Sequence, residues 1–340
     1  MMRVLLTGGY GFIGAWIIRN LLFQGHQVWV VDLKEEPRRL LQILPADQLP
    51  RIGFIPGSIT DLPLLRRTID DHGITHIIHL AGLQVPACRA DPLLGAQVNV
   101  VGTLAVFEAA RLSRGQVQRV VYASSAAVYG PPERYPAGPL AEDAPLFPST
   151  HYGVFKACNE GNARIYFLDH GLTSIGLRPW TVYGVGRDLG MTSEPTKAIK
   201  AALLGRPWHI SFGGWTDFQY VDDVANTFIL CLQRPFQGAK CYNLRGTVTT
   251  LAQFHQILSQ ILPAAKQLVT VGTTQIAIAY DLSDDALQHD LGPMPKTSLQ
   301  DGIRQTVDLF RQLHEQGRLD TTDLQNPSPA PSVATALLEP

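Results

Sequence analysis

Cysteine is scarce: Cys88, Cys158, Cys231 and Cys241 are scattered through 340 residues with no C-x-x-C pair. That spacing excludes a disulfide scaffold or a zinc ribbon, so reduced thiols and no metal site are expected. An excess of charge of one sign is also lacking. Lys and Arg number 28 against 29 Asp and Glu, a formal net charge of −1, so neither nucleic acid nor an anionic membrane is an expected partner. No apolar run is expected to reach the length of a membrane span, and a strand pattern begins by Arg3, ahead of any signal-peptide pattern. A cytoplasmic location is the expectation. No internal repeat is present. With 45% hydrophobic and 17% charged residues, the chain has enough apolar content for a full α/β core.

What the chain does have is concentrated at its start. Arg3 to Leu6 read as a short apolar strand, followed by Thr7-Gly8-Gly9-Tyr10-Gly11-Phe12-Ile13-Gly14 and a run with helical spacing through Leu22. Glycines at 8, 11 and 14 let a pyrophosphate approach the N–H groups of a helix start, and let that helix pack closely on the strand. A second buried strand, Gln27 to Val31, ends at Asp32. An acidic side chain about 20 residues beyond the glycines binds the adenosine ribose hydroxyls and repels a 2′-phosphate, so the expected cofactor is NAD, not NADP. Arg38 and Arg39 stand close by; nearby arginines can receive that phosphate, but here they are read as solvated residues opening a helix.

Further strands are predicted at Ile52 to Ile55, Thr75 to His79, Val117 to Ala123 and Thr173 to Leu177, alternating with helices, one of them long, from about Pro92 to Arg114. That alternation predicts an α/β fold: a Rossmann-type doubly wound parallel sheet with a smaller C-terminal substrate-binding lobe. Residues 1–180 are expected to form the dinucleotide-binding domain, its sheet completed by later strands. Residues 181–318 are expected to be mainly the substrate lobe, interleaved with it, and 319–340 a flexible tail. Ligands bind beyond strand C-termini in such sheets, and the glycine turn, Asp32, Leu80-Ala81-Gly82 and Ser124-Ser125 all fall there. The Pro-rich stretch from Pro131 to Pro148 is a loop at the rim.

Tyr152 and Lys156 are four apart on a predicted helix capped by Ser149 or Thr150, so they share one face. A phenol has an ordinary pKa of about 10 and needs help to act as a base. An adjacent ammonium supplies it, so Tyr152 is the expected acceptor of an alcohol proton and Lys156 the residue that also holds the nicotinamide ribose. His79 reads as a satisfied core residue, His151 as rim, Glu160 as half of a helix-surface ion pair, and Gln84 as a residue within reach of substrate.

Taken together these motifs resemble the extended short-chain dehydrogenase/reductases of the NAD-dependent epimerase/dehydratase family, the group that includes UDP-galactose 4-epimerase. The resemblance spans residues 1 to about 315 and rests on Thr7 to Gly14, Asp32, Leu80-Ala81-Gly82, Asn99, Ser124 to Gly130 and Tyr152 to Lys156. It implies a catalytic set of Ser125, Tyr152 and Lys156, with Ser125 donating a hydrogen bond to the reacting oxygen. It implies cofactor contacts from Gly8, Gly11, Phe12, Ile13, Gly14, Asp32, Ser58, Ile59, Leu80, Ala81, Gly82, Asn99, Ser124 and Pro179, and a homodimer through the helices around Pro92 to Arg114 and Ser149 to His170. Where the dehydratase branch carries an Asp-Glu pair this chain has Ala126-Ala127, which disfavours water elimination. Where nucleotide-sugar epimerases carry an Asn after the sixth strand and an Arg that clamps the diphosphate, it has Thr181 and Thr216. Arg187 can substitute for that clamp, bind the carboxylate of a sugar acid, or simply pair with Asp188. The expected function is oxidation of a secondary alcohol on a small-molecule sugar substrate, as a nucleotide-sugar epimerase. An NAD-dependent dehydrogenase of a free sugar, polyol or sugar acid is the alternative, and a non-catalytic NAD-binding scaffold would most naturally have discarded Tyr152 or Lys156.

Overall fold

The computed structural model describes residues 1–325. Six short apolar segments form strands in chain order: β1 (Arg3–Thr7), β2 (Gln27–Asp32), β3 (Ile52–Pro56), β4 (His76–His79), β5 (Arg119–Ala123) and β6 (Ser174–Arg178). Three short ones follow, β7 (Thr181–Tyr183), β8 (Trp208–Ile210) and β9 (Trp215–Tyr220), then β10 (Ala239–Asn243), β11 (Thr247–Thr250) and β12 (Val269–Val271). The main sheet has seven strands in the order β10-β6-β5-β4-β1-β2-β3, every neighbouring pair parallel. The expected doubly wound parallel sheet is present.

Its strands are apolar on both faces because both are covered. Val4 and Leu6 of β1 face a core shared with the helices Phe12–Phe23 and Val221–Gln233, while Leu5 faces the opposite core beneath Leu62–His72 and the helices that follow it. Strand order runs outward from β1 to β3 and then returns to the other side of β1 at β4. This reversal opens a crevice at the C-terminal ends of β1 and β4, where backbone from two diverging connections cannot fill the space.

The second half is interleaved, not separate. β10 returns to pair with β6, whereas β7, β9 and β11 form a three-stranded sheet and β8 pairs with β12. β7, β11 and β12 have no counterpart in the sequence reading. Each is three or four residues long, too short for period-two alternation to stand out.

Two expectations are corrected. The helical stretch Pro92–Leu112 is long and apolar enough to cross a membrane by length and composition, though 44% of its 18-residue apolar window is buried in this fold. Its apolar character serves packing against the neighbouring helices Leu62–His72 and His151–His170. The C-terminal boundary also moves. Leu319 and Leu324 pack on the main core, and the Asp323 carboxylate accepts from Lys200 Nζ at 2.8 Å with both side chains nearly inaccessible. The expected tail therefore begins no earlier than residue 326, and its Asn326 to Pro331 segment lies outside the described residues.

Candidate active site

At the end of β1 the chain turns with Gly8 at φ +69°, a left-handed conformation open to glycine, and a Cβ there would lie 2.7 Å from the Ala81 nitrogen. A Cβ on Gly14 would lie 2.5 Å from the Gly9 carbonyl oxygen, so only glycine lets the helix start this close to the turn. The helix Phe12–Phe23 has Gly11 at its N-cap with no side-chain cap, which leaves its first N–H groups available to an anion. These groups open into a cleft of about 680 Å³ along the C-terminal edge of the sheet. That volume is within the range of cofactor pockets, about 300–1,000 Å³.

Most of the expected site residues line this cleft. Gly8, Gly11, Phe12, Ile13, Gly14 and Asp32 stand at one end with Ser58 and Ile59. Leu80, Ala81, Gly82, Ser124, Pro179, Ser125, Tyr152, Lys156, Gln84 and Arg187 line it as well. Asp32 accepts a hydrogen bond from Leu33 N at 2.9 Å, and burial raises its pKa. The Ser58 hydroxyl is turned into its own loop, accepting from Thr60 N at 3.2 Å.

Two expected contacts are not in the cleft. Asn99 is 1% exposed and sits where the Pro92–Leu112 helix widens to i→i+5 bonding at Gln97–Val101. Its side chain accepts from Leu83 N at 2.7 Å and donates to Leu83 O at 2.8 Å, so it braces the loop after β4 from behind. Thr181 is fully buried and hydrogen-bonds Thr216 Oγ1 at 2.7 Å, on the face of β7 away from the cleft. Its neighbours Trp180 and Val182 line the cleft instead. A side chain between two cleft-facing ones on an extended segment points away, but β7 is too short for that alternation to show in the sequence. Met191, Thr192 and Ile278 also line the cleft, and nothing local in the sequence marks them.

The expected catalytic residues are placed by local capping. Thr150 caps the helix His151–His170 by accepting from Gly153 N at 3.1 Å, which puts Tyr152 in the first turn and Lys156 one turn on. Lys156 Nζ donates to Ala123 O at 2.6 Å and lies 5.6 Å from the Tyr152 ring centroid. Burial pushes the Tyr152 phenol above its ordinary value of 10, opposed by the Ser125 hydroxyl and then by the Arg187 guanidinium. In the protein alone the Ser125 hydroxyl and the Arg187 guanidinium are the groups that favour phenolate. Arg187 does not pair with Asp188. Its Nη2 donates to Thr192 Oγ1 at 3.1 Å, its Nε is buried without a partner, and its guanidinium lies 5.5 Å from the Phe12 ring.

His79 behaves as a core residue, held between Thr7 Oγ1 at 2.6 Å and Thr103 Oγ1 at 2.9 Å, with burial pushing its pKa down to about 3. His151 is exposed on the rim. Glu160 is not a surface residue. Its side chain is 8% exposed and makes a bidentate pair with Arg178, at 2.8 and 2.7 Å.

Burial also lowers the Lys156 ammonium from 10.5 to about 8. Between those values the folded chain holds fewer protons than the unfolded one. The stability penalty is therefore fully present below pH 8 and is relieved as pH rises to 10.5. Lys156→Met is expected to abolish turnover yet stabilise the cofactor-free protein at neutral pH, by on the order of 1–3 kcal/mol. Denaturant unfolding across this pH range checks it, and the advantage should shrink toward pH 10.5. A variant less stable than the parent at neutral pH would show that the ammonium is not penalised.

An uncapped helix start, a glycine that a Cβ would block, an acidic strand end and a buried Tyr-Lys pair fit a dinucleotide and an alcohol proton. Fold and site thus define an enzyme of the extended short-chain dehydrogenase/reductase type. The profile of the NAD dependent epimerase/dehydratase family matches residues 4–244. The chain belongs to that family, which is NAD dependent. A UDP-glucose 4-epimerase of Mycolicibacterium smegmatis is 31% identical over 318 residues, which is 91% of this chain and 99% of that one. The solved UDP-glucose 4-epimerase of Thermotoga maritima, with UDP-glucose, aligns with 92% of this chain and 100% of its own at 26% identity and a TM-score of 0.78. A dTDP-glucose 4,6-dehydratase of Streptomyces venezuelae with NAD and TYD bound gives a TM-score of 0.78 at 26% identity, covering 93% and 98%.

Proposed function

We propose that this enzyme binds NAD and oxidises a secondary alcohol on the sugar unit of a nucleotide sugar, as an epimerase. The observation that carries the reading is that Ser125, Tyr152 and Lys156 line the same cleft as the glycine turn and Asp32. What NAD supplies when bound is a hydride acceptor, which an epimerase keeps and reuses and a dehydrogenase consumes. The chain's own residues do the rest. Ser125 is available to orient the alcohol oxygen, Tyr152 to take its proton, and Lys156 to hold a ribose while staying anchored to the Ala123 carbonyl. Ala126 and Ala127 offer no carboxyl group for water elimination, which supports epimerisation over dehydration. The relatives named UDP-glucose 4-epimerase support a nucleotide sugar as the substrate class.

One observation favours a second reading. Thr181 and Thr216 bond to each other in the core and supply no diphosphate donor to the cleft, which supports a dehydrogenase of a free sugar, polyol or sugar acid held by Arg187. The two readings separate on the bench. The purified protein is denatured, released NAD(H) is assayed, and the native protein is offered UDP-glucose, UDP-galactose, free hexoses and hexuronic acids. Retained cofactor with interconversion of the UDP-sugars is the expected result. Stoichiometric NADH from a free sugar or sugar acid would replace the epimerase by the dehydrogenase.

The same fold supports a homodimer. Leu93, Leu94 and Val101 on one exposed helical face, and Val154, Ile165 and Leu168 on the next, are 43–84% exposed. Two copies related by a twofold axis would cover both faces. Light scattering is expected to give twice the chain mass of 37.3 kDa, and V154R/L168E is expected to reduce it to one. A parent protein already at the mass of one chain would discard the dimer.

A further inference from the structure

Arg38 and Arg39 follow the strand end that carries Asp32, where a free guanidinium would meet a 2′-phosphate. Arg39 lines the cleft beside Asp32 and donates to Tyr10 O, in the glycine turn, at 3.3 Å. Neither arginine is free. Both converge on the carboxylate of Asp188, which belongs to the loop after β7: Arg39 Nε donates to Oδ1 at 2.9 Å and Arg38 Nη2 to Oδ2. The Asp188 side chain is 8% exposed. Arg38 is also held by Asp320, whose backbone oxygen accepts from Lys200 Nζ at 2.9 Å. Two cations beside the adenosine end of the cleft are thus matched by two carboxylates from distant parts of the chain. Asp32, Lys34 and Glu36 also line the cleft there, and Lys34 pairs with Glu36 at 4.0 Å, so Asp32 is the acidic group left to face a ribose.

We propose that Asp188 is a cofactor-specificity residue. By occupying Arg38 and Arg39 from the loop after β7, it withholds them from a 2′-phosphate, so preference for NAD over NADP rests on Asp188 as well as Asp32. Arginine forks bind phosphate in charge-assisted pairs, so releasing them converts a repelling site into a receiving one. The inference rests on the reading of this cleft as a dinucleotide site.

The test is calorimetric titration of the cofactor-stripped protein with NAD and with NADP. For Asp188→Asn the NADP:NAD affinity ratio is expected to rise by about tenfold or more, the scale of one charge-assisted contact. D188N/R39Q is expected to lose most of that gain. Equal weakening of both dinucleotides in D188N, or an unchanged ratio, would assign Asp188 a purely structural role and overturn the proposal. R38Q/R39Q provides an independent check that does not disturb Asp188. Its ratio is expected to match the parent's within about twofold, whereas a selective loss of NADP binding would show that the arginines already serve the 2′-position. Failure of the parent protein to bind either dinucleotide would instead remove the underlying reading of the cleft, and the proposal with it.

Discussion

Tyr152→Phe is expected to lower kcat/KM by about 10²–10⁴-fold, the range of a lost general acid–base group, equivalent to roughly 3–5.5 kcal/mol of transition-state stabilisation. The substitution deletes one oxygen and keeps the ring, so packing beside Lys156 and the helix cap at Thr150 are unaffected. NAD affinity and the unfolding midpoint are therefore expected to stay near those of the parent, which distinguishes loss of the base from loss of the fold. Because burial holds the phenol above 10, with Ser125 and Arg187 opposing, the fraction ionised at neutral pH is small and turnover is expected to climb as pH rises. Steady-state rates of the two proteins across pH check both statements. Turnover in the variant within about threefold of the parent would discard Tyr152 as the base.

The second large effect is on stability. Glu160→Gln is expected to destabilise the protein by about 3–5 kcal/mol, because it leaves the Arg178 charge buried without its counter-ion. Arg178 and Glu160 side chains are 5% and 8% exposed, and the two make paired bonds at 2.8 and 2.7 Å. Glu160 also accepts from Ser124, and Arg178 donates to Glu142 O at 2.9 Å and to Tyr129 Oη, so the pair ties β6 to the helix bearing Tyr152. An exposed pair at this position would be worth only about 0–1 kcal/mol. Denaturant unfolding of E160Q, R178M and E160M/R178M separates the cases. Either single variant is expected to be less stable than the double, since the double leaves no unmatched charge. A loss below about 1 kcal/mol in E160Q would mean that the pair behaves as a surface pair does.

The sequence by itself determined the features that depend on neighbours along the chain. A run of apolar residues between turn signals specifies a strand, the glycines specify a turn that a Cβ would block, and a four-residue interval places Tyr152 and Lys156 on one side of a helix. Alternation of strand and helix then leaves little choice but a parallel sheet with its functional edge at the strand C-termini, so Asp32, Ala81 and Ser125 could be placed together before any coordinates. What only the tertiary structure decided is which surface each remaining polar side chain meets. Asn99 braces a loop, Thr181 meets Thr216, Glu160 meets Arg178, and Asp188 is shared by Arg38 and Arg39 in preference to its neighbour Arg187. Each of these partners lies from 16 to 150 residues away in the chain. The physical reason is that a buried polar group takes whichever complementary group the packed elements bring against it, and that choice is made by the crossing of elements and not by local pattern.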